Sequence, residues 1–330
     1  MSGGVFNARL GHVQSHQFLR GVLLFTVLFV AFAVFVPARQ IVDVLRDDNS
    51  IALERGVCYR STGGCDLTMD VAMPERGKSP FPLLVFIHGG GWRYEGEGFR
   101  SEIQTAAERG YVAARISYRL LTPRRDGTVK NAFPAQLDDV NAALDYLRQH
   151  RDRYHLDPER IGLVGMSAGG HLALLAGLEG NDATGIKAIV NFYGPCDLTY
   201  AYQHHPESRR LLELLLEATP RMAAQRYKAA SPIYLANRRS PPVLTIHGSE
   251  DTVVPLNQSK RLDERMRRVG ASHQLEVLPG EVHGFSAEGM QRAMHLMYAF
   301  AGQHLRPSQP SHTVAHRRSS TRQVLETRKR

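Results

Sequence analysis

A chain of 330 residues, 43% apolar and 22% charged, has the length and composition of one large α/β domain with appendages, or of two small domains. Three cysteines, with no Cys-x-x-Cys and no Cys/His cluster, exclude a disulfide scaffold and give no zinc signature. The net charge of +9 is concentrated at one end. From Arg306 onward seven Lys/Arg face one acid, Glu326, so most of the charge describes a tail rather than a nucleic-acid-binding face, and no nucleic-acid partner is expected.

Residues 1–20 form an N-terminal segment. Residues 21–38 (GVLLFTVLFVAFAVFVPA) are uncharged and flanked by Arg20 and Arg39. As a helix they would span about 27 Å, close to the ~30 Å of a bilayer core. A single-pass membrane anchor is the expectation. The alternatives are a secretory signal cleaved after Ala38, which would make the protein secreted, and a buried soluble helix. Arg9 and Arg20 on one side match Arg39 and Arg46 on the other, so the positive-inside rule does not orient the segment.

Residues 39–65 read as a connector. Within them, Cys58 and Cys65 would close a hairpin in an oxidising compartment, or stand as free thiols. Cys196 reads as a small buried hydrophobe. From Asp66 strand and helix signals alternate. The stretch 66–73 alternates apolar and polar, as a half-buried strand does, and 82–87 is a continuous apolar run, as a strand buried on both faces is. Strands are expected at 111–118, 160–165, 186–193, 242–247 and 274–278. Helices are expected at 135–150, 167–178, 200–229, 257–269 and 286–304. Such alternation means an α/β fold with a mostly parallel central sheet and helices on both faces, here a domain at 66–305. The extra helical stretch at 198–230 reads as a small cap. The Ser/Pro/Arg-rich tail at 306–330 is expected to be disordered.

Gly165-Met-Ser-Ala-Gly169 lies between a buried strand and an apolar helix. In that context G-x-S-x-G forces a turn so sharp that the Ser167 hydroxyl stands above the sheet, at the N-terminus of the following helix. His88-Gly-Gly-Gly-Trp92 follows another buried strand, and consecutive glycines let backbone approach a ligand. Amides of Gly90, Gly91 and Ala168 would converge as an oxyanion hole, while His88 reads as a loop brace. A serine hydroxyl needs a base. His283 follows the strand ending at Leu278 and Asp251 follows the one ending at Ile246, in the order Ser, Asp, His. Glu250 and, more weakly, Asp197 are rival acids. His171 reads as structural, and His247 as a brace for the acid loop. Trp92, Tyr94 and Tyr193 would shape the substrate pocket together with the cap, or else pack in the core.

These strings, with Ser117-Tyr-Arg-Leu120, Phe133-Pro-Ala-Gln-Leu-Asp-Asp139 and Asp251-Thr-Val-Val-Pro255, resemble the α/β hydrolases related to bacterial feruloyl and acetyl-xylan esterases, near the hormone-sensitive-lipase-like esterases. The resemblance covers roughly 66–303. It implies the α/β-hydrolase fold, Ser167 as nucleophile, Asp251 as acid, His283 as base, the Gly90, Gly91 and Ala168 amides as oxyanion donors, and no metal or organic cofactor. Met166 stands where the lipase-like branch usually has Asp, which favours the feruloyl-esterase-like branch. The expected activity is cleavage of small carboxylic esters through an acyl-enzyme. Amide cleavage by a peptidase or formamidase would use the same triad. A non-catalytic, membrane-tethered binding protein would require a broken one.

Overall fold

The computed structural model describes residues 51–306, apart from 63, 64, 76–78, 97 and 180–183. The segment 21–38 and the tail beyond Arg306 lie outside these residues. Among the described residues no helix is long and apolar enough to cross a membrane.

In chain order the strands are β1 (Ile51–Thr62), β2 (Cys65–Pro74), β3 (Phe81–Ile87), β4 (Val112–Ile116), a short hairpin of β5 (Thr122–Pro123) and β6 (Val129–Lys130), then β7 (Leu156–Met166), β8 (Ile186–Phe192), β9 (Val243–Gly248) and β10 (His273–Leu278). The main sheet has the order β1-β2-β4-β3-β7-β8-β9-β10. β1 with β2 and β2 with β4 are antiparallel, and the remaining pairings are parallel. The helices are α1 (Arg100–Glu108), α2 (Ala135–Gln149), α3 (Arg151–Tyr154), α4 (Ala168–Glu179), α5 (Leu198–His204), α6 (Pro206–Leu216), α7 (Ala224–Ala229), α8 (Asn257–Arg268) and α9 (Ala287–Leu305).

Helices cover both faces because the central strands are apolar on both. Along β3, Leu83, Val85 and Ile87 enter one core with Val140 and Leu144 of α2 and Leu172 and Leu175 of α4. Leu84 and Phe86 enter the other, with Ile103 of α1 and Met297 and Phe300 of α9. This is the period-two alternation of a strand, with no polar side to expose.

The stretch 51–62, expected as connector, is strand β1. Ile51 and Leu53 are 1% and 3% exposed. Register shifts between Glu54 and Val57 and between Cys58 and Arg60 break the alternation, and Gly56 sits at φ 63°. A bulged edge strand does not carry a clean period of two. Cys58 lies opposite Thr68, Cys65 lies opposite Thr62, and Cys58 is a free thiol. The stretch 200–229 is also broken, into α5, α6 and α7. Pro206 occupies the first turn of α6, where its missing N–H costs nothing but ends α5 before it.

Two of the strings noted above are structural ties. The Asp139 carboxylate, fully buried on α2, accepts from the Arg119 amide (2.9 Å), from Arg119 Nε (2.8 Å to Oδ2) and from Arg60 Nη1 (2.9 Å). A buried charge is tolerated because it is paired and its lone pairs are satisfied. This clamp fastens α2 to β1 and to the loop that follows β4.

Candidate active site

β7 ends at Met166 and α4 starts at Ala168, so Ser167 makes the whole turn. Its φ is 51°, a left-handed conformation that costs an L-residue roughly 1–2 kcal/mol. The flanking glycines are there for steric reasons. A Cβ on Gly165 would lie 2.1 Å from the Gly169 carbonyl oxygen, and one on Gly169 would lie 2.1 Å from that of Ile87. The Ser167 amide donates to the Phe192 carbonyl at 2.9 Å, which ties the turn to the neighbouring strand. Ala168 is the first residue of α4, so its N–H has no acceptor within the helix.

Three loops at the ends of β7, β9 and β10 meet here. His283 Nε2 is 3.0 Å from Ser167 Oγ, and His283 Nδ1 is 2.8 Å from Asp251 Oδ2. A carboxylate only accepts, so Nδ1 carries the proton and Nε2 offers its lone pair to the serine hydroxyl. Asp251 Oδ1 accepts from the Val253 and Val254 amides, both at 2.9 Å. Burial pushes the Asp251 carboxyl up, but hydrogen bonds from His247, His283 and the Val254 amide outweigh it and hold the group well below the usual carboxylate range. Glu250 is exposed, and its nearest side-chain partner is Ser249 Oγ. Asp197 caps α5 through the Tyr200 amide and pairs with Arg261 at 2.7 Å. The structure therefore brings Asp251, not either rival, to His283.

The glycine loop lies against the serine. A Cβ on Gly89 would touch Ser167 Cβ at 3.4 Å. Gly90, Gly91 and Trp92 have φ of 104°, 58° and 59°, and the Gly90 carbonyl accepts from the Arg93 and Tyr94 amides. His88 stacks on Tyr118 at 4.2 Å, and the Tyr118 hydroxyl donates to the His88 carbonyl. Burial lowers the His88 pKa, which keeps it neutral as a brace. His171 is likewise buried and lowered to about 4, with Nε2–H on the Ala230 carbonyl and the Trp92 ring edge-on at 5.1 Å.

Ser167, His283, the three glycines, Ala168, Trp92 and Tyr193 line a cavity of about 700 Å³. Its far wall is Leu198 and Ala201 of α5 and Leu211 and Leu212 of α6, with Val253 to Pro255 at one side. Leu211 leans over the glycine loop: a Cβ on Gly91 would meet Leu211 Cδ2 at 3.5 Å. Tyr193 packs its ring against His283 at 4.7 Å and Phe285 at 4.8 Å. Tyr94, expected among the pocket aromatics, is 65% exposed and does not line the cavity. The leucines of the helical wall carry no motif, and only their apolar spacing along an amphipathic stretch marks them.

Residues 69–266 match the BD-FAE family, more than half of the chain. The chain belongs to that family. Individual relatives extend the comparison. Esterase LipC of Mycobacterium tuberculosis is 33% identical over 225 residues, which cover 62% of this chain and 53% of that protein. An uncharacterized peptidase of Bacillus subtilis, YuxL, is 25% identical over 78% of this chain and 40% of its own length. This chain spans about half the length of the curated esterases it matches. Among solved structures, esterase 2 of the Planctomycetes species Thermogutta terrifontis aligns with a TM-score of 0.63 and 25% identity, over 77% of this chain and 94% of that one. It has also been solved with propionate bound and phosphonylated by sarin. This BD-FAE chain has the α/β-hydrolase fold.

Proposed function

We propose that this chain is a serine hydrolase that cleaves small carboxylic esters through an acyl-enzyme. The observation that carries it is the unbroken hydrogen-bonded run Ser167–His283–Asp251 opening onto a mostly apolar cavity. Ser167 Oγ attacks the ester carbonyl while His283 Nε2 takes its proton. Asp251 holds the Nδ1–H tautomer and stabilises the imidazolium. Amides of Gly90, Gly91 and Ala168 receive the developing oxyanion, and His283 then protonates the leaving alcohol. Water repeats the sequence on the acyl-enzyme. Trp92 and Tyr193 shape the substrate pocket. The esterase relatives, and the neighbour captured phosphonylated by sarin, support this reading.

Amide cleavage is the second reading, because the same run of side chains serves it and a relative is named a peptidase. Matched nitrophenyl esters and nitroanilides separate the two. Esters are expected to be turned over faster, and an anilide with the higher kcat/KM would reverse the assignment. Along an ester series from acetate to hexanoate, kcat/KM should rise about fourfold per methylene, the equivalent of roughly 0.8 kcal/mol per buried CH2. A flat or falling series would show that the apolar wall does not hold the acyl chain.

We also propose that residues 21–38 anchor the protein to a membrane. Their uncharged run, bordered by Arg20 and Arg39, supports it. Full-length protein should pellet with membranes and resist carbonate extraction, and a chain starting at Arg39 should be soluble and active. Mature protein beginning at Arg39 in the medium would identify a cleaved signal instead.

A further inference from the structure

Behind the Ser167–His283–Asp251 run stands a second imidazole. His247, fully buried at the end of β9, places Nε2 2.7 Å from the Val254 carbonyl and 3.2 Å from Asp251 Oδ2. Its Nδ1 is 2.6 Å from Ser259 Oγ on α8, also buried. Carbonyl and carboxylate oxygens only accept, so Nε2 bears the proton and Nδ1 accepts the Ser259 hydroxyl hydrogen. The two acceptors at Nε2 thereby set the tautomer, and its N–H lies between the Val254 carbonyl and the acid while the Ser259 hydroxyl turns to suit it.

We infer that His247 is a positioning residue for the proposed reaction, holding Asp251 and sharing its Oδ2 charge with His283. The inference rests on the serine-hydrolase reading. Four N–H groups surround Asp251: two amides on Oδ1, and at Oδ2 the His283 imidazole at 2.8 Å and, more distantly, that of His247 at 3.2 Å, whose N–H also serves the Val254 carbonyl. The Oδ1 amides fix one oxygen, and His247 fixes the rotation of the other. Charge spent on the His247 N–H is charge that the carboxylate does not offer to His283. Removing that donor leaves a stronger anion beside His283 and raises the pKa of the base. The base acts when neutral, so the acidic limb of the rate profile must then move to higher pH.

Few other groups act on this string. From the loop after β8, Tyr193 presents its ring to both imidazoles, and burial holds its phenol well above the ordinary range, so it stays neutral. Across the cavity, α6 and the residue before it bring Glu207 and His205. On α8, Arg261 is engaged by Asp197. On the His283 loop, Glu281 accepts from Ser286, and Glu250 is exposed.

The test is kcat/KM against pH for His247→Phe, His247→Leu and His247→Gln, with active sites counted by fluorophosphonate titration so that misfolded protein drops out. His247→Phe fills the space without a donor. It should lift the acidic limb by about half a unit to one unit and lower kcat about tenfold, leaving KM near wild type. His247→Gln restores an N–H near Nε2 and should bring the limb back. If His247→Phe keeps the wild-type limb and kcat, or His247→Gln shifts the limb as far as His247→Phe does, the inference is overturned. Should His247→Phe fail to fold, His247→Leu decides: a limb moved upward supports it, and an unmoved limb refutes it. Wild-type protein that hydrolyses esters without labelling at Ser167 would sink the serine-hydrolase reading instead.

Discussion

Replacing Ser167 with alanine is expected to lower kcat/KM for nitrophenyl esters by roughly 10⁵- to 10⁶-fold and to leave the thermal midpoint close to wild type. In the proposed reaction the hydroxyl is the attacking atom, and His283 Nε2 lies 3.0 Å from it. The rest of the turn does not depend on it. Its φ of 51° strains alanine as much as serine, and its amide keeps the bond to the Phe192 carbonyl. Ser167 is only half-buried, so removing the hydroxyl leaves no sealed cavity. Steady-state rates with a thermal melt check both halves. Activity within about tenfold of wild type in clean protein would remove Ser167 from the role of nucleophile.

Asp251→Asn should cost about 10⁴-fold in kcat, while Glu250→Gln should change little. The reason lies in donor counting. The Val253 and Val254 amides require an acceptor at one side-chain atom, so the new amide would direct its oxygen there. Its nitrogen would then face the two imidazole N–H groups that now meet Oδ2. His283 relieves that clash by moving its proton to Nε2, which turns a donor toward Ser167 and removes the base. Glu250 has no such burden: its side chain is exposed and its amide bonds to the Glu281 carbonyl whichever side chain it bears. Rate measurements at the pH optimum rank the two, and the opposite ranking would move the acid to Glu250.

Much of the site was legible because its chemistry forces rare residue types into fixed turns. Gly165 and Gly169 admit no Cβ, so their spacing around Ser167 is visible in the chain itself. His283 and Asp251 lie 116 and 84 residues from the serine, yet each follows a strand of the same parallel sheet, and that topology brings the strand ends together. What the sequence left open depends on geometry. The choice between Asp251 and Glu250 turns on a loop that points one side chain inward and the other out. β1 was hidden by its bulge at Gly56, and the breaks in the 200–229 stretch are set by Pro206 and the turn after Leu216. Tyr94 and Trp92 are two residues apart, but the tight turn through Gly90 and Gly91 buries one ring and exposes the other. The apolar wall of Leu198, Leu211 and Leu212 comes from helices whose packing no motif announces.

The most direct measurement is reaction of the protein with a fluorophosphonate, followed by digestion and mass mapping of the adduct. A phosphonyl group on the peptide bearing Ser167 is expected, absent from Ser167→Ala and formed more slowly in Asp251→Asn. Full ester hydrolysis by protein whose Ser167 stays unmodified, or an adduct carried by a different serine, would contradict the account.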